Sequence, residues 1–277
     1  MSSPYADLNR PPLRVAALRT ALVHDGSMWT EVRVLPETAS TNADVAAAAR
    51  DGAAEGLVVV AESQTAGRGR LGRSWHAPPR SGLTFSMLLR PAAPASTWGW
   101  LPLLTGVALA RAIAEHTEVP VRLKWPNDLL AADGRKLAGV LAEMVPGPAG
   151  AGAVVVGVGL NVTTRADELA GLPGATSLVL QDAARTDRGS LLPALLRSFE
   201  TSYRSWQAYG GAPLESYLTA CDSIGKPVRL TLPGGGELVG VATGVDADGR
   251  LEVRTADGAV RGYSAADVEH LRTAKSG

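Results

Sequence analysis

The chain has few of the residues from which covalent cross-links and metal sites are built. Its single cysteine, Cys221, excludes a disulfide within the chain and a cysteine-rich zinc site. The four histidines are scattered and show no metal-ligand spacing: His24, His76, His116 and His270. Such sparse cysteine usage is typical of proteins of the reducing cytosol.

Net charge and a long apolar run are missing as well. The 277 residues include 27 Lys and Arg and 27 Asp and Glu, so no global basic field is available to hold nucleic acid. The most apolar stretch, Trp98 to Ala110, contains Pro102 and falls short of the roughly 20 residues that span a bilayer. The first ten residues lack the order of a signal peptide. We therefore expect a cytoplasmic protein that binds neither nucleic acid nor membrane.

Changes in composition divide the chain into three predicted parts. Residues 1–30 form an N-terminal extension, in which a short helix runs from Leu13 to Val23, and residues 31–222 form the main domain. After residue 222 short β-runs alternate with glycine-rich turns, which predicts a small barrel-like β module at 223–277.

Two helices of the main domain carry specific expectations. Thr41, with Asp44 three residues later, resembles a capping box, and the helix that it begins should end near Gly52. The helix within the apolar stretch should bury the face formed by Leu103, Val107, Ala110 and Ala114.

One predicted strand, residues 154–162, has a face almost without side chains. Gly157, Gly159 and Asn161 share that face, while valines and Leu160 occupy the other. Such a strand lets another group approach the sheet closely. The approaching group is either a packed helix or a ligand, and the strand alone does not distinguish the two.

A glycine- and arginine-rich loop follows the predicted strand at 57–61. Gly67-Arg-Gly-Arg-Leu-Gly72 matches the dinucleotide-binding pattern, but that fold requires a helix at this turn, and Pro78 and Pro79 prevent one. Glycine backbone N–H groups and the guanidinium groups of Arg68, Arg70 and Arg73 are suited to carboxylate or phosphate. The loop therefore predicts an anion site.

Further motifs, in order, resemble the biotin protein ligase family. They extend over about residues 35–165, and the β module after residue 222 resembles the family's C-terminal domain. The motifs are Ser40-Thr-Asn42, Gln64, the segment from Gly67 to Trp75, Lys124-Trp-Pro-Asn-Asp128, Lys136-Leu-Ala-Gly139 and Gly157-x-Gly-x-Asn161.

This resemblance implies an α+β fold, with a mixed sheet flanked by helices and a small C-terminal SH3-like β-barrel. It implies an ATP-dependent ligase that forms biotinyl-5′-adenylate and passes biotin to a lysine of the biotin carboxyl carrier protein of an acyl-CoA carboxylase. ATP and biotin are then substrates and Mg²⁺ accompanies ATP. The acid and the α-phosphate are both anions, so cations must neutralise them.

The resemblance also implies which residues do this work. The candidate catalytic cations are Lys136, Arg70, Arg68 and Lys124. The implied biotin site comprises Ser40, Thr41, Asn42, Gln64, Arg68, Gly69, Arg70, Lys136, Gly139, Gly157 and Gly159. The implied ATP site comprises Arg70, Arg73, Trp75, Lys124, Asn127, Asp128, Lys136, Asn161 and Arg272.

Several roles stay open from the sequence alone. Trp75 either stacks on adenine or packs in the core, where we expect Trp125. Asp128 either contacts Mg²⁺ indirectly or caps a turn, and Arg272 either touches the nucleotide or lies on the surface. Arg80 stands where the family often has glycine.

The competing functions are a lipoate protein ligase and a DNA-binding repressor. The lipoyl group lacks a ureido ring for Gln64 and Ser40-Thr-Asn42 to bind. Only about thirty-nine residues precede Ser40, too few for the winged-helix module of the family's repressors, so we expect no DNA binding. The expected assembly is a monomer or a ligand-dependent homodimer.

Overall fold

A seven-stranded mixed sheet forms the centre of the protein. The computed structural model describes residues 10–146, 152–211, 215–232, 235–264 and 267–271. The strands lie in the order β1-β2-β3-β7-β6-β5-β4; β1 and β2 are parallel, and every other neighbouring pair is antiparallel. Their bounds are β1 Glu31–Leu35, β2 Leu57–Ala61, β3 Gly82–Leu89, β4 Val121–Lys124, β5 Asp128–Ala131, β6 Lys136–Val145 and β7 Ala153–Asn161.

Five helices accompany this sheet within the described residues. They are α1 (Val15–Leu22), α2 (Thr41–Arg50), α3 (Leu101–Thr117), α4 (Arg188–Ala208) and α5 (Glu215–Ala220). Helices α1, α3 and α4 share the main apolar core with one face of the sheet, whereas α2 packs on the other face. None of the helices in the described ranges is long and apolar enough to cross a membrane.

The predicted buried face of α3 is correct only in part. Of the four residues that we expected to be buried, Leu103 is, but Val107 and Ala110 are only partly covered and Ala114 is exposed. Helix α3 contacts both α4 and the sheet, so the buried stripe is broad and follows those two neighbours. The stripe includes Leu101, Leu104, Ala108, Leu109, Ala112 and Ile113.

The second sheet is antiparallel and lies at the C-terminal end. Its strands, in the order β11-β10-β9-β8-β12, are β8 (Pro227–Thr231), β9 (Glu237–Val245), β10 (Leu251–Arg254), β11 (Val260–Tyr263) and β12 (Asp267–His270). The indole Nε1 of Trp100 donates to the carbonyls of Asp246 and Ala247, and that of Trp125 donates to the carbonyl of Gly249. These bonds attach the small sheet to the main domain, and Trp125 is a core residue as expected.

Helix α2 covers only part of its face of the central sheet, and this decides where a ligand could bind. Beneath the helix the strands present Val59, Leu88 and Val155, which pack against Val45 and Ala49. Side chains two residues apart share one face of a strand. Further along that same face β3 presents Ser86 and Thr84, and β7 presents Gly157 and Gly159. The apolar surface therefore changes to a polar and open one just past the N-terminus of α2.

Candidate active site

A cavity occupies the uncovered part of this sheet face. It is bounded by the N-terminus of α2, by the glycine- and arginine-rich loop at residues 67–73 (the Gly-Arg loop), and by the ends of β5, β6 and β7. Its lining comprises Ser40, Thr41, Asn42, Gln64, Arg68, Gly69, Arg70, Arg73, Ser74, Trp75, Thr84, Asn127, Asp128, Lys136, Gly139, Val140, Leu141, Gly157, Val158 and Gly159. Most of the residues predicted for the two binding sites therefore come together here.

The N-terminus of α2 supplies uncharged hydrogen-bonding groups. Ser40, Thr41 and Asn42 are each at most 5% exposed, so their polar atoms need partners. The backbone N–H of Thr41 donates to Gln64 Oε1 over 2.8 Å, and the Thr41 hydroxyl donates to the same oxygen over 3.1 Å. Ser86 Oγ lies 2.7 Å from Thr41 Oγ1 and 2.6 Å from Asn42 Oδ1.

The expected capping box at Thr41 is wrong. The N-cap residue is Ser40, which makes no side-chain capping bond, and Asp44 accepts a hydrogen bond from Thr38 Oγ1 at 2.7 Å. Gln64 pairs with Thr38 in an isolated β-bridge, and this pairing brings the Gln64 side-chain oxygen to the start of α2. That oxygen accepts a hydrogen bond from the Thr41 hydroxyl, which is therefore not a helix cap. The helix does end at the predicted place, because Gly52 follows it with a left-handed φ of 88°.

Three glycines keep the sheet surface under the cavity bare. A Cβ at Gly157 would overlap the Asn42 side-chain oxygen, and a Cβ at Gly159 would overlap the Trp75 indole. Gly139, on the neighbouring strand, lies beside the same indole and beside Lys136. Polar and aromatic side chains, not a packed helix, therefore approach this face.

The Gly-Arg loop folds back on itself and carries its arginines to the cavity. Gly69 donates to the Arg73 carbonyl over 2.6 Å, and the Trp75 N–H donates to the Gly67 carbonyl over 2.9 Å. A tight turn lies between these bonds, in which Leu71 has a φ of 56°. No dinucleotide-binding helix begins here, as the sequence predicted. The loop holds Arg68, Arg70 and Arg73 at the cavity and sets Trp75 against the bare strands.

The cations of the cavity are interleaved with carboxylates. Lys136 Nζ lies 2.6 Å from Asp128 Oδ1 and 5.9 Å from the centre of the Trp75 ring. Arg68 Nη1 lies 3.7 Å from Glu143 Oε1, and both side chains are more than a third exposed. Water screens such exposed pairs, so an entering anion can replace the carboxylate at little cost.

The turn before β5 positions the next candidates. Asn127 makes two hydrogen bonds to the backbone of Val140 on β6. The Val140 N–H donates to the Asn127 carbonyl, and the side-chain Nδ2 of Asn127 donates to the Val140 carbonyl over 2.8 Å. Asp128 is the first residue of β5 and pairs in register with Gly139. The Asn127-Asp128 pair is therefore held at the mouth of the cavity by backbone contacts.

Two predicted ATP-site residues do not line this cavity. Lys124 ends β4 and lies towards the C-terminal sheet, where burial and the charges of Lys124 and Lys226 lower the pKa of His270. Asn161 is buried and its Nδ2 donates to the Thr176 carbonyl over 2.9 Å. Arg272 lies outside the described residues, so its predicted contact with the nucleotide stays a prediction.

The sequence analysis missed Ser86, Thr84 and Glu143. Thr84 and Ser86 alternate with Leu83, Phe85 and Met87, and this pattern alone places two hydroxyls on one face of a buried strand. Glu143 shares a strand face with Gly139 by the same alternation. Arg80, where the family often has glycine, takes a left-handed φ of 60°, so the backbone does adopt the conformation that glycine favours.

Two family models match the chain. Residues 35–161 match the biotin/lipoate A/B protein ligase family, and residues 223–271 match the biotin protein ligase C-terminal domain. The biotin–[acetyl-CoA-carboxylase] ligase of Mycobacterium tuberculosis is 42% identical over 271 residues, which cover 96% of this chain and 98% of that protein. The chain belongs to the biotin protein ligase family.

Other relatives agree with this assignment. The bifunctional ligase/repressor BirA of Bacillus subtilis is 37% identical over 230 residues, 80% of this chain and 68% of that protein. The biotin protein ligase from Aquifex aeolicus, solved in complex with biotin and ATP, matches with a TM-score of 0.73 at 27% identity, covering 88% of this chain and 100% of that chain. The predicted family and the α+β fold with a mixed sheet and a small C-terminal β unit are confirmed.

Proposed function

We propose that this protein is an ATP-dependent biotin protein ligase. It joins biotin to ATP as biotinyl-5′-adenylate and then transfers biotin to one lysine of the biotin carboxyl carrier protein of an acyl-CoA carboxylase. One observation carries the proposal: a single cavity joins an uncharged hydrogen-bonding end, around Thr41, Asn42 and Gln64, to a cationic end that contains Arg70 and Lys136. Biotin has the matching asymmetry, with a neutral ureido ring and a carboxylate tail.

The first step brings two anions together. An oxygen of the biotin carboxylate attacks the α-phosphorus of ATP, the bond from that phosphorus to the bridging oxygen breaks, and pyrophosphate leaves. Lys136 and Arg70 are the candidate cations that offset the repulsion and stabilise the charge of the transition state, with Arg68 beside them. Both nucleophiles come from the substrates, so the protein acts by positioning and electrostatics.

The second step uses the activated acid. The amine of the carrier lysine attacks the acyl carbon of the adenylate, the bond to the phosphate oxygen breaks, and AMP leaves as the amine loses a proton. The carrier lysine must reach the carbonyl carbon, so the cationic end of the cavity has to stay accessible after the adenylate forms. The exposed guanidinium of Arg68 lies at that end.

The uncharged end suits the ureido ring. That ring offers two N–H donors and one carbonyl acceptor and bears no charge. We assign it to Thr41, Asn42 and Gln64, together with Ser40 and the bare backbone at Gly139, Gly157 and Gly159, while Gly69 and Arg70 close over it. A lipoate ligase is not favoured, because the dithiolane ring has no N–H donor and no carbonyl acceptor to offer to this polar end of the cavity.

The nucleotide is assigned to the side of the cavity that carries Trp75. One face of the indole lies against Gly159, and adenine would stack on the other face. Arg73 and Asn127 line the same side. Lys124, Asn161 and Arg272 remain proposed nucleotide residues on the resemblance alone.

Asp128 fits a magnesium ion that arrives with ATP. Its Oδ1 is buried and, although Lys136 Nζ is 2.6 Å away, no donor among the described residues meets that oxygen in hydrogen-bonding geometry. Magnesium usually needs only one or two carboxylates in addition to substrate phosphates and water. Asp128 would supply one carboxylate to the ion, and no group of three acidic, histidine or cysteine side chains that could hold a metal ion occurs among the described residues. The ion would add positive charge at the phosphate oxygens.

Biotin-dependent exchange of radiolabelled pyrophosphate into ATP tests the proposal. The purified protein should catalyse this exchange with biotin and not with lipoate. Exchange with lipoate alone would establish the rival ligase, and no exchange with either acid would reject the proposal. A mobility-shift assay at low and high salt tests the expectation that the protein does not bind DNA.

Replacing Arg70 with glycine should loosen the hold on the adenylate. Arg70 lies in the loop that covers the cavity, so its loss removes both a cation and a cover. We expect the variant to release biotinyl-5′-adenylate, which then acylates lysines of any protein added to the assay. Biotin blotting of a bystander such as serum albumin measures this. Labelling that stays restricted to the carrier protein would show that Arg70 does not retain the intermediate.

A further inference from the structure

Glu143 lies beside the cavity and, like Asp128, is an acid in a place where the substrates are anions. Glu143 lies on β6, on the same strand face as Gly139 and Leu141. The Gly-Arg loop lies next to the sheet at this point. A carboxylate here opposes the charge of both substrates. Its two oxygens have different partners, and these partners explain its presence.

The first oxygen orients Asn42. Asn42 Nδ2 donates to Glu143 Oε2 over 2.6 Å and also lies 3.3 Å from the Leu141 carbonyl. An ionised carboxylate only accepts hydrogen bonds, so the reversed amide, with its oxygen towards Glu143, would face repulsion. The Asn42 oxygen is thereby fixed towards Ser86 Oγ, 2.6 Å away.

This fixed amide sets the donor pattern of the uncharged end. Ser86 has one hydroxyl proton, and the fixed Asn42 oxygen accepts it. The neighbouring Thr41 hydroxyl then donates either to Ser86 Oγ or to Gln64 Oε1, 3.1 Å away. The carboxylate of Glu143 therefore determines which atoms of Asn42 and Ser86 present hydrogen and which present lone pairs.

The second oxygen contacts the loop. Glu143 Oε1 lies 3.7 Å from Arg68 Nη1, so the same side chain that orients Asn42 also attracts the loop that covers the cavity. The pair is exposed, hence it is weak and sensitive to salt. The ion pair can hold the Gly-Arg loop near the sheet in the absence of substrate. When a substrate anion enters, Arg68 can leave Glu143 and pair with that anion.

We propose that Glu143 is a positioning residue that links the closed loop to the donor pattern of the biotin end. This role rests on the proposed ligase function and adds a residue to it. Glu143 touches neither reacting atom; it acts through Asn42 on the ureido ring and through Arg68 on the loop. The two actions use separate oxygens, so they can be separated by substitution.

Glu143→Gln and Glu143→Ala separate them. Glutamine keeps an oxygen that accepts from Asn42 Nδ2 but loses the charge that attracts Arg68; alanine loses both. We expect Glu143→Ala to raise the KM for biotin about 10-fold or more, since hydrogen bonds to charged groups are among the strong ones. Glu143→Gln should leave this KM close to that of the wild type. Met144→Gln, at the exposed neighbour on the other strand face, is the matched control.

Limited trypsin digestion of the ligand-free protein separately measures how accessible the Gly-Arg loop is to cleavage. Cleavage after Arg68, Arg70 or Arg73 should be about 2- to 5-fold faster in both Glu143 variants, as loss of an exposed ion pair allows. Raising the salt concentration should speed cleavage of the wild type and have little effect on either variant. Met144→Gln should behave like the wild type in both assays.

The outcomes keep this inference apart from the proposed function. If the wild type exchanges pyrophosphate and both Glu143 variants match it in biotin KM and in cleavage, the positioning role is wrong and the function stands. Equal increases in KM for the glutamine and alanine variants would also overturn it, because the amide keeps the acceptor for Asn42. If the wild type shows no biotin-dependent exchange, the function fails instead, and unaltered cleavage of the variants would still reject the link to the loop.

Discussion

Lys136→Ala is expected to slow biotin-dependent pyrophosphate exchange about 100- to 1000-fold, the usual cost of deleting one group that stabilises transition-state charge. Lys136 begins β6 and its ammonium group lies at the cationic end of the cavity, beside Asp128 and over the Trp75 ring. Removing it leaves the negative charge of Asp128 where the carboxylate and the α-phosphate must meet. The loss should therefore fall mainly on kcat for adenylate formation.

The matched control is Lys226→Ala. Lys226 also pairs with a carboxylate, Asp222, but it lies by the C-terminal sheet and outside the cavity. It should exchange pyrophosphate at close to the wild-type rate. Thermal melts of both variants check that folding is intact. Exchange by Lys136→Ala at the wild-type rate would mean that another cation stabilises the charge.

Gly157→Ala is expected to weaken biotin binding on the order of 100-fold. A methyl group at this position would overlap the Asn42 side-chain oxygen, so Asn42 must move and lose its bonds to Ser86 and Glu143. Each buried polar group left without a partner costs about 1–3 kcal/mol, so two such losses cost about 2–6 kcal/mol, which corresponds to roughly 30-fold or more. Titration calorimetry with biotin measures the change.

Gly171→Ala controls for the substitution itself. Nothing lies within 4 Å of a Cβ at Gly171, so its affinity for biotin should be unchanged. Undiminished biotin affinity in Gly157→Ala would mean that Asn42 does not contact the ligand.

Gly159→Ala should affect ATP more than biotin, whereas Gly157→Ala should affect biotin. Here the added methyl meets the Trp75 indole and not Asn42. We expect the KM for ATP to rise more than the KM for biotin, because the stacking surface assigned to adenine is displaced. The reverse ratio in pyrophosphate-exchange kinetics would remove Trp75 from the nucleotide site.

Much of the fold could be predicted because the local signals agree with the tertiary structure. The β-branched run at residues 57–61 is β2, buried along its whole length, and Asp133-Gly134, a residue pair typical of hairpin turns, lies in the turn between β5 and β6. The buried face of α3 could not be predicted from its own periodicity. That helix is apolar nearly all round, so the positions of α4 and the sheet determine which residues are covered.

The site was partly predictable for a similar reason. The glycines of β7 and the arginines of the loop are unusual residues for their positions, and their spacing is visible in the chain. Glu143 and Ser86 are ordinary residues, and their importance arises only when β3, β6 and the start of α2 come together. The hydroxyl of Thr41 looked like a helix cap because Gln64, its actual partner, is 23 residues away.

The bare strand surface limits how the protein could escape an inhibitor that rests on it. A compound that lies over β6 and β7 meets main-chain atoms at Gly139, Gly157 and Gly159, next to Asn42 and Trp75, and substitution cannot change main-chain atoms. Any replacement of Gly157 or Gly159 adds at least a methyl group that collides with Asn42 or Trp75. A resistant variant at either position would damage the cavity itself, so we expect resistance to arise in side chains of the covering loop or elsewhere on the rim of the cavity.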